Sequence, residues 1–134
     1  MRKVVQFGVI FVIFSLLLGS SCDSFESSNT ITGVWRNRET YSNNRYRTYN
    51  VSVERYDLID TSTYIIFNMY NIGMDFETIV QLKDSTFTII GTSHPMTSIS
   101  GKGTLHRHSF TIDWEYSVSG DTYDPAVFAH FEKP

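Results

Sequence analysis

The sequence has 134 residues, which is enough for one domain with a single hydrophobic core. It carries 11 basic and 14 acidic residues, for a formal net charge of −3. This balance argues against general nucleic-acid binding, which requires a basic surface, and it does not favour phosphate-rich ligands.

The first 21 residues have the order of a bacterial secretory signal. Arg2 and Lys3 precede an apolar run, Val4 to Leu18, and the small residues Gly19 to Ser21 follow it. The run of about 15 residues is shorter than the roughly 20 that span a bilayer as a helix. Cys22, the only cysteine, comes next. The segment resembles a lipobox, although Gly19 stands where that motif usually has leucine. We therefore predict a lipoprotein signal peptide over residues 1–21.

Lipidation of Cys22 would attach the chain to a membrane. Two or more acyl chains hold a protein stably on a bilayer, whereas one chain holds it only marginally. Residues 22–30 then form the acylated cysteine and a short polar tether. Loss of Arg2 and Lys3 with the signal would bring the net charge to about −5. We expect a lipid-anchored protein of the cell envelope, at the outer membrane. The alternatives are an ordinary cleaved signal with a free thiol, and a retained membrane helix.

The remaining residues, 31–134, predict a single all-β domain. Short runs of β-branched and aromatic residues alternate with Gly, Asn, Asp and Ser, which is typical of strands and turns. We predict eight strands: Thr32–Glu39, Thr48–Asp57, Ser62–Tyr70, Phe76–Lys83, Thr86–Gly91, Ser98–His106, Phe110–Val118 and Tyr123–Lys133.

Every connection between these strands is short, so consecutive strands should pair antiparallel. An eight-stranded up-and-down meander can close into a barrel, which removes exposed strand edges. A two-sheet β-sandwich is the alternative. Gly101 and Gly103 share one face of the sixth strand, and such small residues suit a tight bend or a large neighbour such as Trp35 or Trp114. We place both tryptophans in the barrel interior, and the many aromatic residues favour a filled interior over a ligand cavity.

Several segments resemble a known group of proteins. Gly33-Val34-Trp35 resembles the Gly-x-Trp opening of lipocalins and other calycins. The Asn-rich turn Asn68–Gly73, the segment Ile99–Leu105 and the aromatic ending at Lys133 resemble small lipoproteins of Bacteroidetes-type bacteria. The resemblance implies a calycin-like barrel and a membrane anchor. Lipocalins pack an arginine of the last strand over the tryptophan, and the candidates for that place here are His130 and Lys133.

The loop from Tyr41 to Arg47 is the best candidate binding surface. Tyr41, Arg45, Tyr46 and Arg47 together could bind an anionic or carbohydrate partner through stacking and bidentate hydrogen bonds. An ordinary exposed loop is the alternative.

Other chemistry-bearing residues form weaker patterns. His106 and His108 have the spacing of metal ligands on a strand, but a third ligand is not obvious. Asp113 and Glu115 share a face as glycosidase carboxylates do, but the strict apolar alternation beside them predicts that this face is solvent-exposed. We therefore expect no metal, no cofactor and no enzymatic activity.

These observations together predict a non-enzymatic binding or accessory module of the envelope. Its partner would be a small apolar ligand, a glycan or an envelope protein. The alternative is a structural subunit of an envelope complex, with a filled barrel and no small-molecule ligand.

Overall fold

The computed structural model describes residues 30–134, which form one closed antiparallel barrel. Each strand pairs with its neighbours in sequence, and β1 also pairs with β8. This closure confirms the predicted all-β, up-and-down, calycin-like barrel and excludes the two-sheet sandwich. The strands are β1 (Gly33–Thr40), β2 (Tyr46–Arg55), β3 (Thr63–Phe67), β4 (Glu77–Lys83), β5 (Thr86–Thr92), β6 (Thr97–His106), β7 (Thr111–Gly120) and β8 (Asp124–Glu132).

The third strand is shorter than the sequence pattern predicts. It ends at Phe67, and Met69–Asn71 form a single 3-10 turn instead of continuing to Tyr70. Asn68, Tyr70 and Asn71 adopt left-handed φ angles of 71°, 58° and 53°, which a strand does not permit. Asparagine tolerates this conformation, and the Asn68 side chain donates a 2.9 Å hydrogen bond to the carbonyl of Asn50.

Aromatic rings fill much of the barrel interior. Trp35 and Trp114, both predicted to lie inside, are 0% and 2% exposed. The Trp114 ring centroid lies 5.5 Å from that of Phe87 and 5.6 Å from that of Phe131, and Trp35 stacks on Phe110 at 5.5 Å. These are favourable distances for tilted and stacked ring pairs, so the large side chains form a continuous aromatic core.

Gly103 makes room for Trp114. The two residues are opposite partners on β6 and β7, and a Cβ atom on Gly103 would lie 2.7 Å from the indole ring. The predicted pairing of a small residue with a large neighbour is thus present, and the neighbour is Trp114.

The barrel has two distinct ends. The mouth is formed by loops 41–45, 68–76, 93–96 and 121–123. The base is formed by residues 30–32, the loops 56–62, 84–85 and 107–110, and the C-terminal residues. At the base, the ammonium group of Lys133 lies 4.6 Å from the Trp35 ring centroid and donates a 2.8 Å hydrogen bond to the carbonyl of Thr32. Lys133 therefore occupies the place considered for it over the tryptophan.

Candidate binding site at the mouth

A buried carboxylate lies just inside the mouth. Glu39 is 0% exposed and faces inward because it continues the alternation of Trp35 and Asn37 along β1. Its cross-strand partner on β2 is Arg47, whose guanidinium group donates to Glu39 Oε1 at 3.1 and 3.3 Å. Asn37 Nδ2 donates to the other oxygen, Oε2, at 3.2 Å. The buried charge is therefore paired and hydrogen-bonded, as its burial requires.

Two phenols complete the shell of donors around this carboxylate. The hydroxyl groups of Tyr49 and Tyr116 each donate to Glu39 Oε2 at 2.5 Å. Burial, and then the charge of Glu39, raises the pKa of Tyr49 well above its usual value. Burial likewise raises the pKa of Tyr116, and the neighbouring Tyr49 and Glu39 add to it. Both phenols therefore stay protonated and remain donors.

Three tyrosine rings surround the Arg47 guanidinium group. Its central carbon lies 4.5 Å from the ring centroid of Tyr41, 5.2 Å from that of Tyr49 and 4.8 Å from that of Tyr70. Arg47 Nη2 also donates to the backbone carbonyl of Tyr70. These distances permit cation–π attraction, which strengthens where water is excluded. Arg47 therefore joins β2 to the mouth loop that carries Tyr70.

We call the side chains around Glu39 and Arg47 the buried cluster. Tyr70 links this cluster to the last strand. Its hydroxyl donates a 3.0 Å hydrogen bond to Asp124 Oδ2, and Asp124 Oδ1 accepts one of 3.3 Å from the Ser42 backbone N–H. Burial, and then the hydrogen bond to Asp124, raises the pKa of Tyr70 to about 12.

The Tyr41 ring packs edge-on against Tyr70, with the ring centroids 5.4 Å apart, and the Tyr41 hydroxyl is buried without a hydrogen-bond partner. Such an unsatisfied group costs free energy unless something binds to it.

An open pocket of about 390 Å³ lies over the mouth beside this cluster. Tyr70 lines this pocket and is held from the other side by Arg47 and Asp124. The hydrogen bond of 2.9 Å from the Asp121 N–H to the Met96 carbonyl ties two of the mouth loops together. The lining residues are Tyr70, Asn71, Ile72, His94, Thr97, Asp121 and Thr122.

The structure separates the four residues of the predicted binding loop into two pairs. Tyr41 and Arg47 face the buried cluster, with the guanidinium group of Arg47 over the Tyr41 ring. Arg45 and Tyr46 face solvent, and Tyr46 is 78% exposed. The predicted loop is thus at the mouth, but its residues do not form one surface.

Sequence reasoning did not single out Glu39, Tyr70, Tyr116 or Asp124. Glu39 carried a usable signal, because it lies at an inward position of the alternation that begins at Trp35. Tyr116 carried the same signal on β7, between Trp114 and Val118. Tyr70 and Asp124 carried none, because their contact joins residues 54 positions apart.

The histidines and carboxylates of the outer wall form a separate group. Asp113 is exposed and accepts hydrogen bonds from His106 at 2.9 Å and from His130 at 2.5 Å. Glu115 is exposed on the same face, as predicted. Among residues 30–134, no group of three His, Cys, Asp or Glu side chains is arranged to hold a metal ion. His106 is paired with Asp113 and not with His108.

Cys22 and the signal segment lie outside the described residues. Within residues 30–134, no helix combines the length and apolar character needed to cross a membrane.

No protein-family model matches this chain, and a search of curated proteins finds no sequence match either.

Proposed function

We propose that this protein is a lipid-anchored lipoprotein of the outer membrane whose barrel acts as a non-enzymatic binding or accessory module. The observation that carries the proposal is the contrast between the packed aromatic interior and the open pocket at the mouth. A ligand or partner would bind across the mouth and not inside the barrel. The anchor is supported by the lipobox-like segment that ends at Cys22.

The rim of the mouth supports a protein or glycan partner. Large apolar side chains stand exposed on the loops that surround the pocket: Ile72, Met74, Met96 and Tyr123. Methionine and aromatic residues are enriched at the centres of protein interfaces, and exposed apolar groups around a pocket mark contact surfaces. His94, Asp121 and Thr122 supply polar groups that could orient a glycan hydroxyl.

The chemistry of the buried cluster supports a binding role over an enzymatic one. Both oxygens of Glu39 already accept hydrogen bonds, and the side chain is fully shielded from solvent. A general acid or base must come within hydrogen-bond reach of its substrate. Glu39 is instead placed to brace the mouth by tying β1, β2 and β7 together.

The binding proposal is tested by native mass spectrometry of the full protein released gently from its own envelope. We expect an added mass or a bound partner that is lost on denaturation. The double variant Ile72→Ser, Met96→Ser should lose it, because both changes remove apolar surface from the rim. Ile90→Ser is the matched control, since Ile90 is 56% exposed on β5 and outside the mouth. Retention of the bound species by the rim variant would contradict a mouth site.

The anchor is tested by labelling cells with radioactive palmitate. The wild-type protein should incorporate the label and Cys22→Ala should not, because Cys22 is the only cysteine in the chain. Persistent labelling of the variant would refute the anchor at this position.

A structural subunit of an envelope complex is the second candidate function. The filled core favours it, because a barrel packed with rings needs no ligand to be stable. This function would be favoured if neither variant carried a small-molecule ligand and both kept the same protein partner at a fixed stoichiometry.

A further inference from the structure

Two adjacent apolar side chains stand almost entirely in solvent at the base of the barrel. Leu58 is 90% exposed and Ile59 is 89% exposed, both in the loop 56–62 between β2 and β3. Tyr56, in the same loop, is 56% exposed. Transfer of exposed aliphatic surface from water to an apolar environment lowers the free energy. We call Tyr56, Leu58 and Ile59 the base tip.

Local hydrogen bonds order the loop that carries the base tip. Asp57 Oδ1 accepts a 3.1 Å hydrogen bond from the Ile59 N–H, and Asp60 Oδ2 accepts one of 2.6 Å from the Thr63 hydroxyl. The hydrogen bond from Thr63, and next those from Ser62, lower the pKa of Asp60 to about 2, so this carboxylate is ionised at neutral pH. The two aliphatic side chains are thus presented at a defined place at the base.

The chain from Cys22 reaches the barrel at this same end. β1 begins at Gly33, which pairs with Val53 near the end of β2, and Thr32 is bound by Lys133. Residues 23–30 separate Cys22 from Ile31. The span from Cys22 to Ile31 is nine Cα–Cα steps, which reach at most about 32 Å when fully extended. The acyl chains on Cys22 would therefore hold the base within this distance of the bilayer.

The mouth also carries exposed apolar side chains, but the short segment between Cys22 and the barrel disfavours contact of the mouth with the same bilayer. The longest strands have ten residues, and at the usual rise and tilt such a strand gives a barrel about 25 Å tall. A tether that placed the mouth on the bilayer would have to spend most of its reach running along the outer wall. Contact through the base needs no such extension.

We propose that the base tip inserts into the surface of the phospholipid bilayer that holds the Cys22 anchor. Leu58 and Ile59 enter the boundary between headgroups and acyl chains, and Tyr56 lies at headgroup level, where tyrosine is enriched. Asp57 and Asp60 stay among the headgroups. The mouth then faces away from the membrane. This inference rests on the lipid anchor of the proposed function.

The test uses the full lipidated protein in phosphatidylcholine vesicles. Leu58→Cys and Met96→Cys are each labelled with an environment-sensitive dye on the new thiol, and the vesicles contain lipids that quench the dye within the bilayer. Met96 is the matched position at the mouth, 58% exposed and on a loop. We expect a blue shift and loss of most of the emission at position 58, and neither change at position 96.

The outcomes separate the base tip from the anchor. Vesicle-bound protein with no quenching at position 58, or with quenching at position 96 instead, overturns the base tip and leaves the anchor intact. Unmutated protein that takes up dye at Cys22 and does not float with the vesicles overturns the anchor, and the orientation with it. Quenching confined to position 58 supports the proposal.

Discussion

Glu39 and Arg47 lie directly opposite one another on β1 and β2, and the Glu39 side chain is completely buried while the Arg47 side chain is one-third exposed. Arg47 Nη2 lies 3.1 Å from Glu39 Oε1. The pair lies where the aromatic core gives way to the polar mouth, and it contacts side chains from three strands.

Replacement of Arg47 should destabilise the barrel strongly. Arg47→Met keeps the length of the side chain but leaves Glu39 without its cation, and an uncompensated buried charge costs about 3–5 kcal/mol. Arg45→Met is the matched control, because Arg45 is exposed in the mouth loop, and it should change the free energy of unfolding by less than about 0.5 kcal/mol. Urea unfolding followed by tryptophan fluorescence measures both. Equal effects would mean that the pair does not stabilise the mouth.

Loss of either phenol from the Glu39 shell should also lower stability. Tyr49→Phe and Tyr116→Phe keep the rings and remove one hydroxyl donor each, which we expect to cost about 1.5–3 kcal/mol because the acceptor is charged. The double variant should depart from additivity, since both hydroxyls bond to the same oxygen. The exposed Tyr46 provides the control variant Tyr46→Phe, which should unfold at the wild-type urea concentration.

Gly103 should not tolerate even one added carbon. Gly103→Ala places a methyl group against the Trp114 ring, and such overpacking typically costs about 1–3 kcal/mol. Gly91→Ala is the control, because a Cβ atom there has no neighbour within 4 Å. Thermal unfolding compares the two variants, and the Trp114 emission should shift only in the first. A stable Gly103→Ala variant would show that β6 can move away from the ring.

The hydrogen-bonded group of His106, Asp113 and His130 on the outer wall should account for part of the loss of stability at low pH. The hydrogen bond from His130, and next the one from His106, lowers the pKa of Asp113 below its ordinary value of 3.8. A lowered pKa in the folded state stabilises the protein above the unfolded value, and this contribution is lost as the pH falls below it.

The corresponding variant is Asp113→Asn. It should flatten the fall in unfolding free energy below about pH 4, the ordinary range for an aspartate. The exposed Asp121, in the mouth loop that follows β7, provides the control Asp121→Asn. If the unfolding free energy of Asp113→Asn fell with decreasing pH as steeply as that of the wild-type protein, this group would not contribute to the acid sensitivity.

The sequence was sufficient to predict most of the fold. Alternation of apolar and polar residues locates all eight strands and assigns Trp35 and Trp114 to the inside, because neighbouring side chains on a strand point to opposite faces. Short connections between the strands predict the meander, and eight strands allow closure. The largest error in the strand bounds is the end of β3, where asparagines in left-handed conformation replace the last strand residues.

The mouth was predictable only in part, because its contacts depend on closure and on register. The predicted second strand begins at Thr48, whereas β2 begins at Tyr46, so Arg47 belongs to the inward face with Tyr49. Tyr116 reaches Glu39 across 77 positions of sequence, which only the pairing of β1 with β8 and of β8 with β7 makes possible. The sequence by itself determined which faces are apolar, since that follows from local periodicity. The tertiary structure alone decided which polar groups meet inside the mouth, since that depends on how distant strands align when the barrel closes.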